Sequence, residues 1–348
     1  MTAVVEDLDF LCARLHARRA RLFDAERLAA LCRLRSLSEL GAALGVSCTV
    51  QDVPSLERQL VEAYLAEHED LVQAVHGRAR PLLQWLGMRW LVQELEQLLA
   101  VRSTPDSTAE LRSRSITLLG RWGLPFDELA QADSPRRLTQ LLARCPATAP
   151  FAEALRNAKS RAVPWPLLIE RAYHGELLSR AERLGGEDGE RVNELVFQEL
   201  DTFHLMLALR ARRHHGLGVE VLLPLHVSGT RIRRGRFREM LESPSAPACA
   251  ALALRCALDR LPSGAPADSD GEYASQVEPL CWQRAQRLAA RHFRASHLGV
   301  ATVVAYSALR RIELNHLRAV TEALARGGDA HVLETRLGLR GTPEVARA

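Results

Sequence analysis

The sequence has few aromatic and β-branched residues, and this scarcity already narrows the fold. Aromatic residues make up 5% of the 348 positions, although 47% of the positions are hydrophobic. A chain rich in Leu, Ala, Arg and Glu has the composition of helices whose surfaces also favour helix. Its length and apolar content are sufficient for two or three domains with sizeable cores. The composition therefore predicts an all-α fold.

Lysine is nearly missing, and neither sign of charge dominates. Lys159 is the only lysine, so arginine supplies almost all of the positive charge. The 46 basic and 42 acidic residues are interspersed and leave a formal net charge of +4 at pH 7. An excess this small on a chain this long does not require a nucleic-acid partner. The simplest interpretation is a solvated helical surface.

Paired cysteines, a secretory leader and a long apolar run are also missing. The seven cysteines are scattered and form no Cys-x-x-Cys pair, which predicts buried thiols in a reducing compartment. The first nine residues carry acids where a signal peptide carries basic residues. The longest apolar run, Leu298 to Leu309, is too short to cross a bilayer. We therefore expect a cytoplasmic chain with no bilayer-spanning segment.

Motifs for catalysis and for cofactor binding are missing as well. Lys159 and Ser160 follow no glycine-rich turn, which excludes a P-loop phosphate site. His214 and His215 are adjacent, so on a helix their side chains point about 100° apart and cannot chelate one metal ion. We interpret them as an exposed pair, and His68 to Asp70 as a solvated helix face. The sequence predicts no catalytic residue, no cofactor and no metal.

Local signals mark where helices begin. Ser36 followed by Glu39, and Ser107 followed by Glu110, are capping-box patterns that satisfy free N–H groups at a helix start. Strand signals are weak. The segment Val219 to Leu225 is the one credible extended stretch, and its proline limits it to an edge or a linker.

One helical pattern occurs three times, at intervals of about 110 residues. An apolar residue, an acid, an amide or imidazole, and a leucine occupy positions i−4, i, i+3 and i+4, which share one face of a helix. The three sets are Trp90, Glu94, Gln97 and Leu98; Phe197, Asp201, His204 and Leu205; and Leu309, Glu313, His316 and Leu317.

The recurrence predicts three homologous helical lobes with a pseudo-threefold, funnel-like arrangement. Their bounds are residues 1–104, 105–216 and 217–330, followed by a C-terminal segment, residues 331–348. The polar positions of the repeated helices have two interpretations. They form a buried hydrogen-bond network that fixes how helices cross, or they face a central cavity and bind a partner. We expect the three leucines to be core residues in either case.

A dense basic cluster lies between the second and third sets. It consists of Arg231, Arg233, Arg234, Arg236 and Arg238, with Ile232 and Phe237 between them. It is a candidate interface for an anionic partner, or else a solvated loop leading into a helix. No nucleic-acid-binding motif accompanies it.

At these residues the sequence resembles the C subunit of bacterial and archaeal rotary ATPases, called d in the eukaryotic vacuolar enzyme. The order of weak motifs carries the resemblance over most of the chain. The matching positions are Ala13, Arg14 and Ala17 near the start, Leu222 to Pro224 with Gly229, Tyr306, and Arg102, Arg210 and Arg318 near the repeated helices. Cys12 and His16 depart from the family pattern, and Gln97, His204 and His316 replace its usual asparagine.

The resemblance implies a non-catalytic adapter in the central rotor. Such a subunit links the central-shaft subunits of the catalytic head to the proteolipid ring of the membrane sector. It transmits torque coupled to proton or sodium transport, from the cytoplasmic face of the inner or plasma membrane. The six polar repeat positions would then be a structural network or a socket for the shaft.

Two other functions share some of these features. A helical-repeat scaffold of another complex has the same composition and periodicity, but it does not need the family motifs in this order. A nucleic-acid-binding helical protein would use the basic cluster and would bind with steep salt dependence. We expect no nucleic-acid partner.

Overall fold

The protein is described here by a computed structural model. The described residues are 2–46, 52–101, 111, 112, 115, 119–158, 162–262, 269–296 and 298–339. Within them the secondary structure is helical, with one isolated β-bridge between Leu254 and Leu258 and no strand. The prediction of an all-α fold is therefore confirmed.

The α-helices of the described residues are four to 26 residues long. In chain order they are α1 Thr2–Arg19, α2 Ala25–Cys32, α3 Leu37–Ala43, α4 Val53–Ala74, α5 Ala79–Val101, α6 Phe126–Ala130, α7 Pro135–Leu142, α8 Ala149–Arg156, α9 Trp165–Glu182, α10 Gly186–Met206, α11 Val219–Leu222, α12 Arg234–Glu242, α13 Ala246–Leu252, α14 Asp270–Ala295, α15 Val300–Ala325 and α16 Ala330–Arg336. A π-helical segment, Leu207–His214, continues α10. Short 3-10 helices span Pro146–Thr148 and Leu223–Leu225.

The chain divides into two compact units. The first unit consists of Met1–Ala74 and Ser275–Ala348, so it is built from both ends of the chain. In it, α15 packs against α4, α1, α2 and α3. The second unit is the continuous segment Val75–Ala274, in which α9 packs against α5, α8 and α10. These two units are defined by contacts between residues, whereas the three predicted lobes are defined by repetition in the sequence. The division into three lobes stays a prediction.

Burial of an apolar stripe explains why the long helices form. In the first unit, Leu56, Leu60 and Tyr64 of α4 are buried at the helical spacing that the sequence shows. In the second unit, Trp85 is fully buried and its indole N–H donates to the carbonyl oxygen of Tyr173 at 2.9 Å. A hydrogen bond of this kind allows a large amphipathic side chain to be buried without losing a polar contact.

Helix starts follow the predicted capping chemistry where the structure describes them. The Ser36 hydroxyl accepts the N–H of Glu39 at 3.2 Å, and the Glu39 carboxylate accepts the N–H of Arg35 at 2.8 Å. This confirms the serine half of the first capping pattern, whereas the Glu39 carboxylate binds the N–H one residue before the N-cap instead of that of Ser36. The second, at Ser107 and Glu110, lies outside the described residues.

Two local predictions are wrong. Val219 to Leu225 is not extended but forms α11 and a 3-10 turn, because the carbonyl oxygen of Gly218 accepts the N–H groups of Val221 and Leu222 and so starts a helical turn. His68 is buried rather than solvated, because it lies one turn after Tyr64 on the inner stripe of α4.

The cysteine and histidine predictions have clearer outcomes. Five thiols are buried, at Cys12, Cys32, Cys249, Cys256 and Cys281, and no disulfide forms among the described cysteines. Cys145 is half-buried, and Cys48 lies outside the described residues. The adjacent His214 and His215 are exposed, as predicted.

Candidate functional site

The three repeated acids are buried near the middle or the end of long helices. Glu94 lies on α5, Asp201 on α10 and Glu313 on α15, and their exposed fractions are 2%, 0% and 6%. A buried carboxylate requires hydrogen-bond donors, because it has lost its water. Each of the three accepts a hydrogen bond from a residue outside its own helix.

Glu313 holds the segment that leads into α2. One carboxylate oxygen accepts the main-chain N–H of Phe23 at 2.6 Å, and the other accepts the guanidinium of Arg310 at 2.6 Å. Burial raises the pKa of Glu313, although the charge of Arg310 and the Phe23 N–H oppose that rise. Arg310 also donates to Glu67 of α4 at 3.0 Å, and the hydroxyl of Tyr306 donates to the same carboxylate at 2.5 Å.

Asp201 and His204 hold the segment that leads into α12. Asp201 accepts the main-chain N–H of Ile232 at 3.0 Å, and Nε2 of His204 accepts the main-chain N–H of Val227 at 3.0 Å. An imidazole nitrogen that accepts an N–H must carry its lone pair, so this His204 ring is neutral. Burial holds the pKa of His204 well below its usual value, which agrees with that geometry. His226 forms a contact within the same segment, since its Nε2 lies 2.8 Å from the carbonyl oxygen of Ile232.

The two contacts have the same position relative to the helix that follows. Phe23 directly precedes Asp24, the N-cap of α2, and Ile232 directly precedes Arg233, the N-cap of α12. In both cases the acid thus fixes the residue directly before the N-cap of a short helix. Glu94 accepts a hydrogen bond from the side-chain hydroxyl of Ser115.

A pair of short helices follows each of these attachment points. The pairs are α2 with α3, α6 with α7, and α12 with α13. The second helix of each pair is capped by a serine: Ser36, Ser134 and Ser245 accept the N–H of the residue three positions later. In the last pair, α12 ends at Glu242 and the N-cap serine of α13 is Ser245.

The other repeated positions are placed as follows. Leu98, Leu205 and Leu317 are buried, which confirms that prediction, whereas Gln97 and His316 are half-buried. Burial lowers the pKa of His316 to about 4.

The apolar residue four positions before the acid is not equally buried in the three sets. Trp90 and Leu309 are buried, whereas Phe197 is only half-buried. The neighbouring Val196 and Leu200 supply the inner stripe of α10 there. Arg102 lies outside the described residues.

The basic cluster forms an arginine surface, defined here as Arg231, Arg233, Arg234, Arg236 and Arg238. Ile232 and Phe237 are fully buried between the arginines and anchor the segment. Arg231 is half-buried and the other four arginines are exposed. Arg236 reaches back to the sulfur of Cys256 at 3.6 Å. No carboxylate of the described residues forms an ion pair with this surface.

Sequence reasoning missed a second buried charge cluster. The guanidinium of Arg89 donates to Glu170 at 3.2 Å, and Nε2 of His174 lies 3.9 Å from the same carboxylate. Burial raises the pKa of Glu96 to about 8, and it lowers the pKa of His174. These residues lie on α5 and α9, and no short-range spacing joins them, except that Glu170 and His174 are one helical turn apart.

The arrangement offers anchoring contacts and a charged surface. In the part of the chain that the structure describes, no cluster of three or more His, Cys, Asp or Glu could hold a metal ion. None of the described helices has the length and apolar character needed to cross a bilayer.

Comparison with known proteins extends over nearly all of the described helices. A family model described as ATP synthase (C/AC39) subunit matches residues 11–335. The match includes both compact units and all three helices that carry the buried acids. Among curated proteins, none matches this chain significantly.

Proposed function

The chain belongs to the ATP synthase C/AC39 subunit family, and from this premise we propose that it joins the central shaft of the catalytic head to the proteolipid ring. The family is a non-catalytic subunit of V/A-type ATPases, so the chain is a part of such a complex and not its catalytic subunit. The match over residues 11–335 carries the proposal. It also favours this function over a scaffold of some unrelated complex.

An adapter of this kind needs stiffness, because torque is lost if its helices yield. The buried acids support that requirement. Asp201 and Glu313 each tie the start of a short helix to the middle of a long one through a main-chain hydrogen bond. A buried hydrogen bond between two elements fixes how they pack against each other. We therefore assign Glu94, Asp201, His204 and Glu313 a structural role, with the half-buried Gln97 and His316 beside them.

The three-lobed, funnel-like arrangement is part of the same proposal. Its support is the threefold return of a long helix with a buried acid, followed by a pair of short helices with a serine N-cap. In the third copy the long helix and the pair of short helices come from opposite ends of the chain. Glu313 of α15 accepts the N–H of Phe23, which lies before α2. The proposed place of the subunit is the cytoplasmic face of the membrane.

The test is deletion of the subunit from the complex. ATP hydrolysis and ATP-driven ion transport are measured together in reconstituted vesicles, with and without the chain. We expect hydrolysis by the head to continue while transport is lost, because a non-catalytic connector has been removed. Adding back the purified wild-type chain should restore transport. Fully coupled transport without the subunit would exclude the adapter function.

A further inference from the structure

A cavity in the second unit is lined by arginines that the proposed function does not use. Its volume is about 520 Å³, and its lining residues are Gly77, Arg78, Pro81, Arg180 and Arg183. Cavities of about 300–1,000 Å³ are the usual size for small-molecule sites. We call it the arginine pocket. It lies where the turn before α5 meets the end of α9.

Arg180 is held rigidly at this place. Its guanidinium stacks over the ring of the buried Trp85, 4.5 Å from the centroid. It also donates to the Glu176 carboxylate and to the carbonyl oxygen of Pro81, both at 2.8 Å. A guanidinium that is already fixed by a ring, a carboxylate and a carbonyl loses little further conformational entropy when a ligand binds.

Arg78 and Arg183 complete the pocket with exposed guanidinium groups. Arg78 donates to the carbonyl oxygen of Arg183 at 3.1 Å, and Arg183 donates to the Ser179 hydroxyl at 3.2 Å. Neither forms an ion pair with a carboxylate of the described residues. Three arginines therefore line the pocket, and among them Arg180 is bonded to a carboxylate, that of Glu176. The lining residues keep an excess of positive charge.

We propose that the arginine pocket binds a phosphate group. Arginine presents parallel N–H donors that match phosphate oxygens, and several arginines together favour a multiply charged anion over a single carboxylate. The phosphate belongs to a lipid headgroup or to a soluble phosphate compound, and the chemistry of recognition is the same for both. This inference does not depend on the adapter function, since it rests on the pocket alone.

Calorimetry with inorganic tripolyphosphate on the purified full-length chain tests the proposal. The pocket variant is Arg78→Gln/Arg183→Gln, which spares Arg180 because that side chain packs on Trp85. We expect Kd to rise at least about tenfold, because two charge-assisted donors are lost. The control Arg136→Gln/Arg156→Gln removes two other exposed guanidiniums from the same unit and should change Kd by less than about twofold.

The source of the phosphate is identified with vesicles. Phosphatidylcholine vesicles are compared with vesicles that also contain phosphatidylglycerol. If the wild-type chain binds the vesicles with phosphatidylglycerol and the pocket variant does not, the ligand is a lipid headgroup. If the wild-type chain binds tripolyphosphate but not these vesicles, the ligand is a soluble phosphate compound. The proposal is overturned if the wild type binds neither probe, or if the pocket variant and the control lose binding equally. Matching thermal unfolding midpoints show that both variants are folded.

Discussion

The main-chain N–H of Phe23 donates to the Glu313 carboxylate at 2.6 Å, across 290 residues of sequence. It thereby ties the segment before α2 to the centre of α15, within the unit that both chain ends build. Arg310 neutralises the same carboxylate and reaches Glu67 of α4. One buried acid thus connects three separate stretches of the chain.

Loss of this carboxylate should weaken the first unit. Glu313→Ala leaves the N–H of Phe23 without its acceptor, and we expect a cost of about 1–3 kcal/mol in the free energy of unfolding. Glu313→Gln keeps an acceptor oxygen and should cost less. Urea unfolding followed by circular dichroism measures both. Glu69→Ala, an exposed acid of α4, is the control, and an equal loss there would contradict the assignment.

The repeated leucines should be among the most sensitive core positions. Leu98, Leu205 and Leu317 have exposed fractions of 1%, 0% and 3%. Truncation of any one to Ala should cost about 2–5 kcal/mol, because apolar contacts are lost and a cavity remains. Leu298, with 61% exposure, is the matched control and should tolerate the same change. Unchanged unfolding midpoints for all three would mean that the repeat stripe is not core.

These leucines also show how far sequence reasoning reaches. Helical spacing predicted their burial, since period and polarity are local properties. The same spacing does not distinguish the half-buried Phe197 from the buried Trp90 and Leu309, because the choice between neighbouring apolar residues depends on which helix packs opposite. The partner of Glu313 was not predictable, since nothing local points to Phe23.

The contacts of charged side chains were the hardest to predict from the sequence. The cluster from Arg231 to Arg238 was visible because it is contiguous in sequence. The arginine pocket was not, since Arg78 and Arg183 lie more than a hundred residues apart and meet only where α5 and α9 pack. The ion pair of Arg89 and Glu170 was not predicted for the same reason.

The half-buried His316 should make stability depend on pH. Burial lowers its folded-state pKa from 6.5 to about 4, so between these values the unfolded chain binds a proton that the folded chain does not. The free energy of unfolding should therefore fall as pH decreases through that window. His316→Leu should flatten this slope, and His331→Leu, which removes an exposed imidazole, is the control. Urea titrations at several pH values measure the slope, and an identical slope in His316→Leu would refute the prediction.

Asp201 should control the order of the segment that carries the arginine surface. Asp201→Ala removes the acceptor for the N–H of Ile232, which lies two residues before α12 begins. We expect faster hydrogen exchange at Ile232 and at neighbouring amides, because local opening is no longer opposed by that hydrogen bond. Asp201→Asn keeps an acceptor and should restore most of the protection. Unchanged exchange in Asp201→Ala would show that the other contacts of the segment hold it without this hydrogen bond.

The arginine surface gives the sharpest test of contact with an anionic partner in the complex. Arg233→Glu, Arg234→Glu and Arg238→Glu are combined, because these three side chains are exposed. Arg236 is spared since it contacts Cys256. A solvated surface tolerates such a reversal, whereas an electrostatic interface does not. We expect weaker ATP-driven ion transport at matched ATP hydrolysis in reconstituted complexes.

The control for this reversal changes net charge equally but elsewhere in the second unit. Arg136→Glu, Arg156→Glu and Arg260→Glu also replace three exposed arginines. If both triple variants lower transport alike, the effect is one of net charge and not of an interface. If the first variant alone does so, and does so less at high salt where exposed charges are screened, the arginine surface contacts its partner through charge. Normal transport in both variants would assign Arg233, Arg234 and Arg238 to solvent.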